Sequence, residues 1–329
     1  MNAPIHGAAV LTVTLNPAID QTVTLDALSP GAVHRASAVR ADAGGKGVNV
    51  ACCLADWGLP VAATGVLGSD NAAPFVALLA KKGIDDRFVR VAGETRTNLK
   101  LLDAARADTT DINLPGLAVT EGTLAAVRAV ARDIACAENF VVLAGSLPRG
   151  APPETYADLT RLLKARGARI VLDASGPALA AALAADPEAL PYAIKPNRHE
   201  LEEWAGRPLP ALGAVADAAR ALHARGIAWV VVSLGAEGAL FVSEAGAFHA
   251  HPPVTEVAST VGAGDALVAG LVAGLQAGLT RADTARLALA FAAGKLGLAG
   301  ANLPDRAVVL AIADTILLTP LDPHPTPSS

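Results

Sequence analysis

Ser259-Thr260-Val261-Gly262-Ala263-Gly264-Asp265 runs directly into an apolar helix-forming stretch, Ala266 to Leu275. Glycines on either side of Ala263 let backbone amides turn toward one point, and a helix start adds the positive end of its dipole. Such a turn binds an anion, a phosphate above all. Asp265 places a carboxylate beside that anion. Its structural use is as a first-turn acid favoured by the helix dipole. Its chemical use is as a base that takes the proton of an attacking hydroxyl while the amides carry charge on a moving phosphoryl group.

Outward from this turn the chain alternates short β-like runs with long Ala/Leu-rich helical stretches. Val10–Leu15 and Val61–Val66 read as strands, Val48–Trp57 and Asn71–Lys82 as helices, the latter ending at Gly83. Phe140–Leu143, Arg169–Leu172, Ala193–Ile194 and Trp229–Ser233 are further short apolar runs, with helical stretches such as Pro153–Arg166 and Leu209–Arg225 between them. This order predicts an α/β fold with a mostly parallel sheet covered on both faces. Asp20–Arg40 and Arg96–Asn113 break the rhythm with alternating segments such as Gln21–Leu25 and Thr97–Leu101. They predict a small separate sheet, with edge hairpins of the core as the plainer reading. The Pro/Ser-rich end from Thr319 to Ser329 reads as disordered, so the folded unit is expected over 9–317, with 318–329 outside it.

Composition narrows the function classes. The 329 residues are 52% hydrophobic, enough for a large core. The run from Ala266 stops at Gln276, half the length of about 20 apolar residues that a membrane span needs. Met1 to Ala9 carries no Lys or Arg before an apolar stretch, which argues against a secretory signal. The net charge is −5, from 26 basic and 31 acidic side chains, and without basic runs it speaks against nucleic acid as a partner. Three cysteines, two of them neighbours, form neither a disulfide framework nor a zinc motif; a reducing cytoplasm is the expected setting.

Three more segments carry site chemistry. Ala43-Gly44-Gly45-Lys46-Gly47-Val48-Asn49 brings backbone close to a ligand, with Lys46 as a cation and Asn49 on the first turn of a helix; it lacks P-loop spacing. Lys195-Pro196-Asn197-Arg198-His199-Glu200 follows a β-like run. There Asn197 and Glu200 either form a capping box or lie together near metal-bound phosphates. Ser233-Leu234-Gly235-Ala236-Glu237-Gly238 follows another strand and offers a wall for a nucleotide.

Together these segments resemble the ribokinase-like (PfkB) carbohydrate kinases, in the expected order from about Val10 to Leu317. Thr260-Val261-Gly262-Ala263-Gly264-Asp265 is the strongest signature and Gly44-Gly45-Lys46-Gly47 with Asn49 the second. The resemblance implies a three-layer α/β/α ribokinase-like core and a small β-sheet lid, built from about 20–40 and 96–113, that closes over a sugar and often contributes to a homodimer. It implies Asp265 as catalytic base and Gly262, Ala263 and Gly264 as the anion hole. Lys195, Asn197, Ser233, Leu234, Gly235, Ala236, Glu237 and Gly238 would line the ATP site. Glu200, with Asn197, would hold Mg²⁺, and Asp20, Gly45 and Asn49 would grip the sugar.

Within the family the chain resembles the branch acting on phosphorylated ketohexoses. Thr95-Arg96-Thr97-Asn98-Leu99-Lys100 puts two cations on one face of a lid strand, and with Lys46 they would cradle a substrate phosphate. Lys195 to Arg207 and Thr110-Asp111-Ile112-Asn113-Leu114-Pro115-Gly116 are close to the fructose 1-phosphate branch. The expected reaction is ATP plus fructose 1-phosphate giving ADP and fructose 1,6-bisphosphate. Tagatose 6-phosphate and fructose 6-phosphate are the rival substrates; Asp111, where an arginine is expected for a 6-phosphate, weighs against the latter. Two readings of other classes compete: a sensor that binds sugar phosphates without turnover, which the intact Asp265 turn opposes, and a nicotinamide oxidoreductase. The oxidoreductase needs Gly-x-Gly-x-x-Gly after the first strand, where this chain has Asn16-Pro17.

Overall fold

Val10–Thr14 (β1) is buried at every position, as a strand covered on both faces must be. It lies inside the larger of two sheets; the computed structural model describes residues 9–321, except 107, 138, 252–261, 299 and 301. Parallel pairing joins β1 to Val61–Gly68 (β4) on one side and to Phe140–Ala144 (β9) on the other. From β9 the parallel order continues through Arg169–Asp173 (β10), Ala193–Ile194 (β11) and Trp229–Ser233 (β12). Asp85–Asp86 (β5) and Val89–Val91 (β6) both pair with β4.

Beyond β12 the sheet turns antiparallel through Ala239–Ser243 (β13), Gly246–His251 (β14) and Leu317–Leu321 (β15). The boundary expected at 317 is therefore corrected: the chain stays in the sheet to Leu321. Pro320 is tolerated because β15 is an edge strand, and Arg220 anchors the end by donating to the Leu321 carbonyl at 2.6 Å. Residues 322–329 lie outside the described set.

Helices cover both faces, as the alternation predicted. One layer holds Lys46–Asp56 (α1), Ala73–Lys81 (α2), Ala263–Gln276 (α8), Arg281–Leu296 (α9) and Arg306–Thr315 (α10). The other holds Glu121–Ile134 (α3), Thr155–Lys164 (α4), Gly176–Ala184 (α5), Arg198–Ala205 (α6) and Leu212–Ala224 (α7). The apolar run singled out for its length is the buried core of α8: every residue from Asp265 to Leu275 is buried. Small residues let α9 close against it, since a Cβ on Gly270 would stand 2.7 Å from the Ala288 Cα. Among the described residues no helix is long and apolar enough to cross a membrane.

The two irregular regions form a separate four-stranded sheet. Ala18–Leu25 (β2) pairs antiparallel with Ala38–Gly44 (β3) and parallel with Thr97–Asp103 (β7), which pairs antiparallel with Asp108–Asn113 (β8). This sheet is the lid, and its first strand follows β1 after only Leu15, Asn16 and Pro17. Residue 20 is thereby delivered to the carboxyl end of the main sheet.

Candidate active site

In an open parallel sheet, ligands bind outside the carboxyl ends of the strands. Here those ends carry charged and polar side chains. Asp173 closes β10, Lys195 follows β11, Ser233 closes β12 and the lid rises after β1. From β1 to β12 is four strand steps, about 19 Å at the usual 4.8 Å spacing.

The anion turn opens this face. Gly262 is the N-cap of α8 with φ 80°, a left-handed conformation that suits glycine. After it the amides of Ala263, Gly264 and Asp265 lie in the first turn, where a helix offers no internal acceptor. Ser259, Thr260 and Val261 of the same motif lie outside the described residues. Asp265 is 7% exposed and accepts a hydrogen bond from Asn49 Nδ2 at 2.8 Å. Burial, reinforced by the Asp173 carboxylate, pushes its pKa up to about 6, against the pull of Asn49, Lys46 and Lys195. A base poised near neutral pH is what proton abstraction from a hydroxyl requires.

Asp173, which the sequence reading passed over, organises the floor. Its side chain is wholly buried, and Oδ1 accepts from Lys46 Nζ at 2.9 Å and forms an ion pair with Lys195 Nζ at 3.3 Å. Burial works against the Lys46 charge, but the Asp173 carboxylate, joined by Asp265 and Glu200, raises the pKa overall. Lys195 Nζ lies 3.6 Å from where a Cβ on Gly264 would stand, so a cation adjoins the anion turn. Asp173 Oδ2 has no hydrogen-bond partner among the described residues. A buried carboxylate oxygen left without a donor is a place for a metal-bound water or a metal. The signal was present in the sequence: an acid directly at the end of the run Arg169–Leu172.

The segments around Asn197 and Ser233 lie side by side. Ser233 N donates to the Pro196 carbonyl at 3.0 Å, and residues Asn197 and Ser233 form a parallel bridge. Leu234 leads into a short 3-10 turn, Gly235–Glu237, closed by Gly238. Arg198 Nη2 bonds both Glu237 oxygens at 3.2 Å, tying the two walls together. The capping-box reading of Asn197 and Glu200 is realised in full: Asn197 Oδ1 accepts from Glu200 N at 2.8 Å, and Asn197 N donates to Glu200 Oε2 at 2.9 Å. Asn197 Oδ1 is thus engaged in the cap, while Glu200 keeps its second oxygen.

Between the lid and the anion turn lies a cavity of about 500 Å³, lined among others by Asp20, Asn49, Lys100 and Gly262. Alternation on β2 and β3 brings Asp20, Thr22, Arg40 and Asp42 to it. Asp20 is oriented by Asn98 Nδ2 at 3.1 Å. Gly45 caps α1 with φ 118°, and a Cβ there would stand 3.0 Å from the Pro17 Cα; the glycine run lets the chain pass over this corner.

The expected three-cation cradle is not assembled in one place. Lys46 is drawn to Asp173, because a buried carboxylate holds an ammonium more firmly than a half-solvated cavity does. Lys100 lines the cavity and pairs with Asp111 at 3.7 Å, so Asp111 is compensated instead of standing as a bare repulsive charge. Arg96 precedes β7 instead of alternating along it, and its guanidinium lies against the Asn16 and Pro17 carbonyls at 3.3 and 3.4 Å. No carboxylate pairs with Arg96 among the described residues, and Asp20 is close enough to favour its charge.

Residues 13–307 match the pfkB family of carbohydrate kinases. A protein of Xanthomonas campestris pv. campestris named 1-phosphofructokinase is 57% identical over 287 residues, covering 87% of this chain and 90% of the relative. One of Rhodobacter capsulatus with the same name is 48% identical, covering 95% and 98%. Among solved structures, phosphofructokinase-2 from Escherichia coli in complex with fructose-6-phosphate superposes with a TM-score of 0.85 at 28% identity, covering 93% of this chain and 98% of that one.

Proposed function

We infer the reaction from one premise: the chain belongs to the pfkB family of carbohydrate kinases. It transfers the γ-phosphoryl group of ATP to the 6-hydroxyl of fructose 1-phosphate, giving fructose 1,6-bisphosphate and ADP. The substrate is the one implied by the name that its bacterial relatives carry. The observation that carries the chemistry is the buried Asp265 carboxyl, held by Asn49 in the first turn of α8.

The sugar enters the cavity under the lid with its hydroxyls on Asp20 and its 6-hydroxyl toward Asp265. Its phosphate goes to Arg96, with Lys100 as a second cation; an arginine without a carboxylate partner is free to clasp a phosphate in two-pronged fashion. ATP lies along Lys195, Asn197 and the Ser233–Gly238 turn, its γ-phosphate over the Gly262–Gly264 amides. Asp265 accepts the hydroxyl proton as the oxygen attacks phosphorus and the bond to ADP breaks. Lys46 and Lys195, fixed by Asp173, stabilise the charge that shifts across the transferring group. Lid closure excludes water that would otherwise take the phosphoryl group.

The donor set suits Mg²⁺: Glu200 has a carboxylate oxygen outside its cap, and Asp173 has an orphaned one. Glu200 and Asp173 would hold a bound Mg²⁺ largely through water, and its charge would offset that of the phosphates. Asn197 serves this site by fixing Glu200 through the capping box. We place the enzyme in the cytoplasm, where its substrates are, and as a homodimer through the outer lid, where Val39 and Ile112 are 57% and 41% exposed. ADP release with fructose 1-phosphate, fructose 6-phosphate and tagatose 6-phosphate offered separately tests the reading. Preference for a 6-phosphate would overturn the substrate assignment and leave the kinase intact; no ADP release with any sugar would sink the kinase.

A further inference from the structure

Lys295 is 2% exposed, one of the largest fully buried side chains in the molecule. It lies in the last turn of α9 and takes no part in the reaction as derived so far. Its Nζ donates to the Leu298 carbonyl at 2.9 Å, so its plain use is as a cation closing the helix C-terminus. Three further observations do not follow from that use. The side chain lines the cavity beneath the lid, together with Gly262, Asn49 and Asp20. Its Cε is 3.3 Å from where a Cβ on Gly262 would stand, so it passes directly against the first residue of the anion turn. The cavity's other cations, Arg40 and Lys100, are paired with Asp42 and Asp111; among the described residues no carboxylate pairs with Lys295.

A buried ammonium without a counter-charge is costly and keeps its place only when something compensates it. One carbonyl does so in part. Burial pushes the Lys295 pKa down, while the neighbouring Cys53 and Asp265 favour its charged form. Among the described residues nothing further compensates it, and an anion arriving at Gly262 would do so. Resting on the kinase reading above, we propose that Lys295 is a further catalytic cation: its ammonium donates to the transferring phosphoryl group as that group crosses the Gly262–Gly264 turn. Lys295 keeps its proton throughout, the hydroxyl proton goes to Asp265, and the bond that breaks is the one joining the γ-phosphorus to ADP. The ammonium therefore acts on the transition state more than on either bound substrate, which predicts an effect on kcat with little effect on KM.

Lys295→Gln separates the two uses, because the amide can still donate to Leu298 while the charge is gone. With fructose 1-phosphate and MgATP, kcat is expected to fall about 10²-fold, the usual loss for one charge-stabilising donor, while both KM values stay within about threefold. A second readout uses no turnover: thermal unfolding with MgADP and fructose 1-phosphate, with and without aluminium fluoride as a phosphoryl mimic. Wild type should gain stability on adding fluoride; the variant should keep the ADP effect and lose that increment. If the glutamine variant does not fold, Lys295→Met, which fills the same buried space but gives up the Leu298 bond, is read by the fluoride increment alone. Wild type that turns over fructose 1-phosphate alongside a variant with unchanged kcat and the full fluoride increment overturns the proposal alone. Wild type without turnover overturns the kinase reading itself.

Discussion

Replacing Asp265 by asparagine separates what burying a base does to stability from what the base does in the reaction. The carboxyl is 7% exposed, and its pKa moves from an ordinary 3.8 to about 6. The folded protein therefore holds this proton more tightly than the unfolded chain does. The stabilisation that comes with that proton is fully present below about 4 and is lost as the pH rises through 6. Above pH 7 the ionised carboxylate costs about 3 kcal/mol, at 1.36 kcal/mol for each pH unit between the two values. Asparagine carries no charge at any of these pH values, and its Oδ1 can still accept from Asn49 Nδ2. The ligand-free Asp265→Asn protein should therefore be more stable than wild type at pH 8, by up to about 3 kcal/mol, and the gap should narrow to about half of that at pH 5, closing near pH 4. Turnover should fall about 10²–10⁴-fold, the usual worth of a positioned base. Urea unfolding of both proteins from pH 5 to 8, with kcat measured on the same preparations, is the assay. A variant less stable than wild type, or a stability difference that does not change with pH, would refute the account of Asp265 as a carboxyl held under electrostatic stress.

The same carboxyl should appear in the kinetics: kcat/KM should lose activity as the pH falls through about 6, and a flat profile from pH 5 to 8 would remove Asp265 from the role of base. Arg96→Ala should raise KM for fructose 1-phosphate by tenfold or more with a smaller change in kcat, by analogy with the loss of a charge-assisted phosphate contact of about 1.5–3 kcal/mol; an unchanged KM would take the substrate phosphate away from Arg96. Asp173→Asn leaves Lys46 and Lys195 without their shared carboxylate, so calorimetry should show a loss of about 3–5 kcal/mol, typical of breaking a buried pair, together with weaker Mg²⁺ dependence of turnover. A stable, fully active variant would show that the Asp173 cluster is incidental.

What the sequence revealed depended on whether a residue's role was set by its own segment. The turn around Gly262 announces itself because an anion hole is made of consecutive amides, so glycines, helix start and acid are all neighbours in the chain. The parallel sheet is equally local, since each strand's burial on two faces writes a continuous apolar run such as Phe140–Leu143. The capping box at Asn197 and Glu200 could be read from a spacing of three. The antiparallel edge could not: β14 and β15 pair residues such as His251 and Leu317 across 66 positions, and nothing within Leu317–Leu321 specifies that partner. Pro and Ser after Thr319 pointed to disorder, where the edge position makes Pro320 harmless.

Long side chains were the harder case. Lys46, Arg96 and Lys100 were grouped by charge and by the alternation expected of one strand, yet a lysine reaches several ångströms from its backbone and settles wherever the field is deepest. For Lys46 that is Asp173, from a strand more than a hundred residues away. The pairing changes the logic of the whole site. Once Lys46 and Lys195 are committed to Asp173, Lys100 to Asp111 and Arg40 to Asp42, two cations beside the cavity have no carboxylate partner among the described residues: Arg96 near Asp20 and Lys295 against Gly262. In the proposed reaction Arg96 would meet the phosphate the sugar arrives with and Lys295 the phosphate it receives. The ion pairs thus single out which charges stand without a carboxylate partner among the described residues, and that selection follows from tertiary contacts alone.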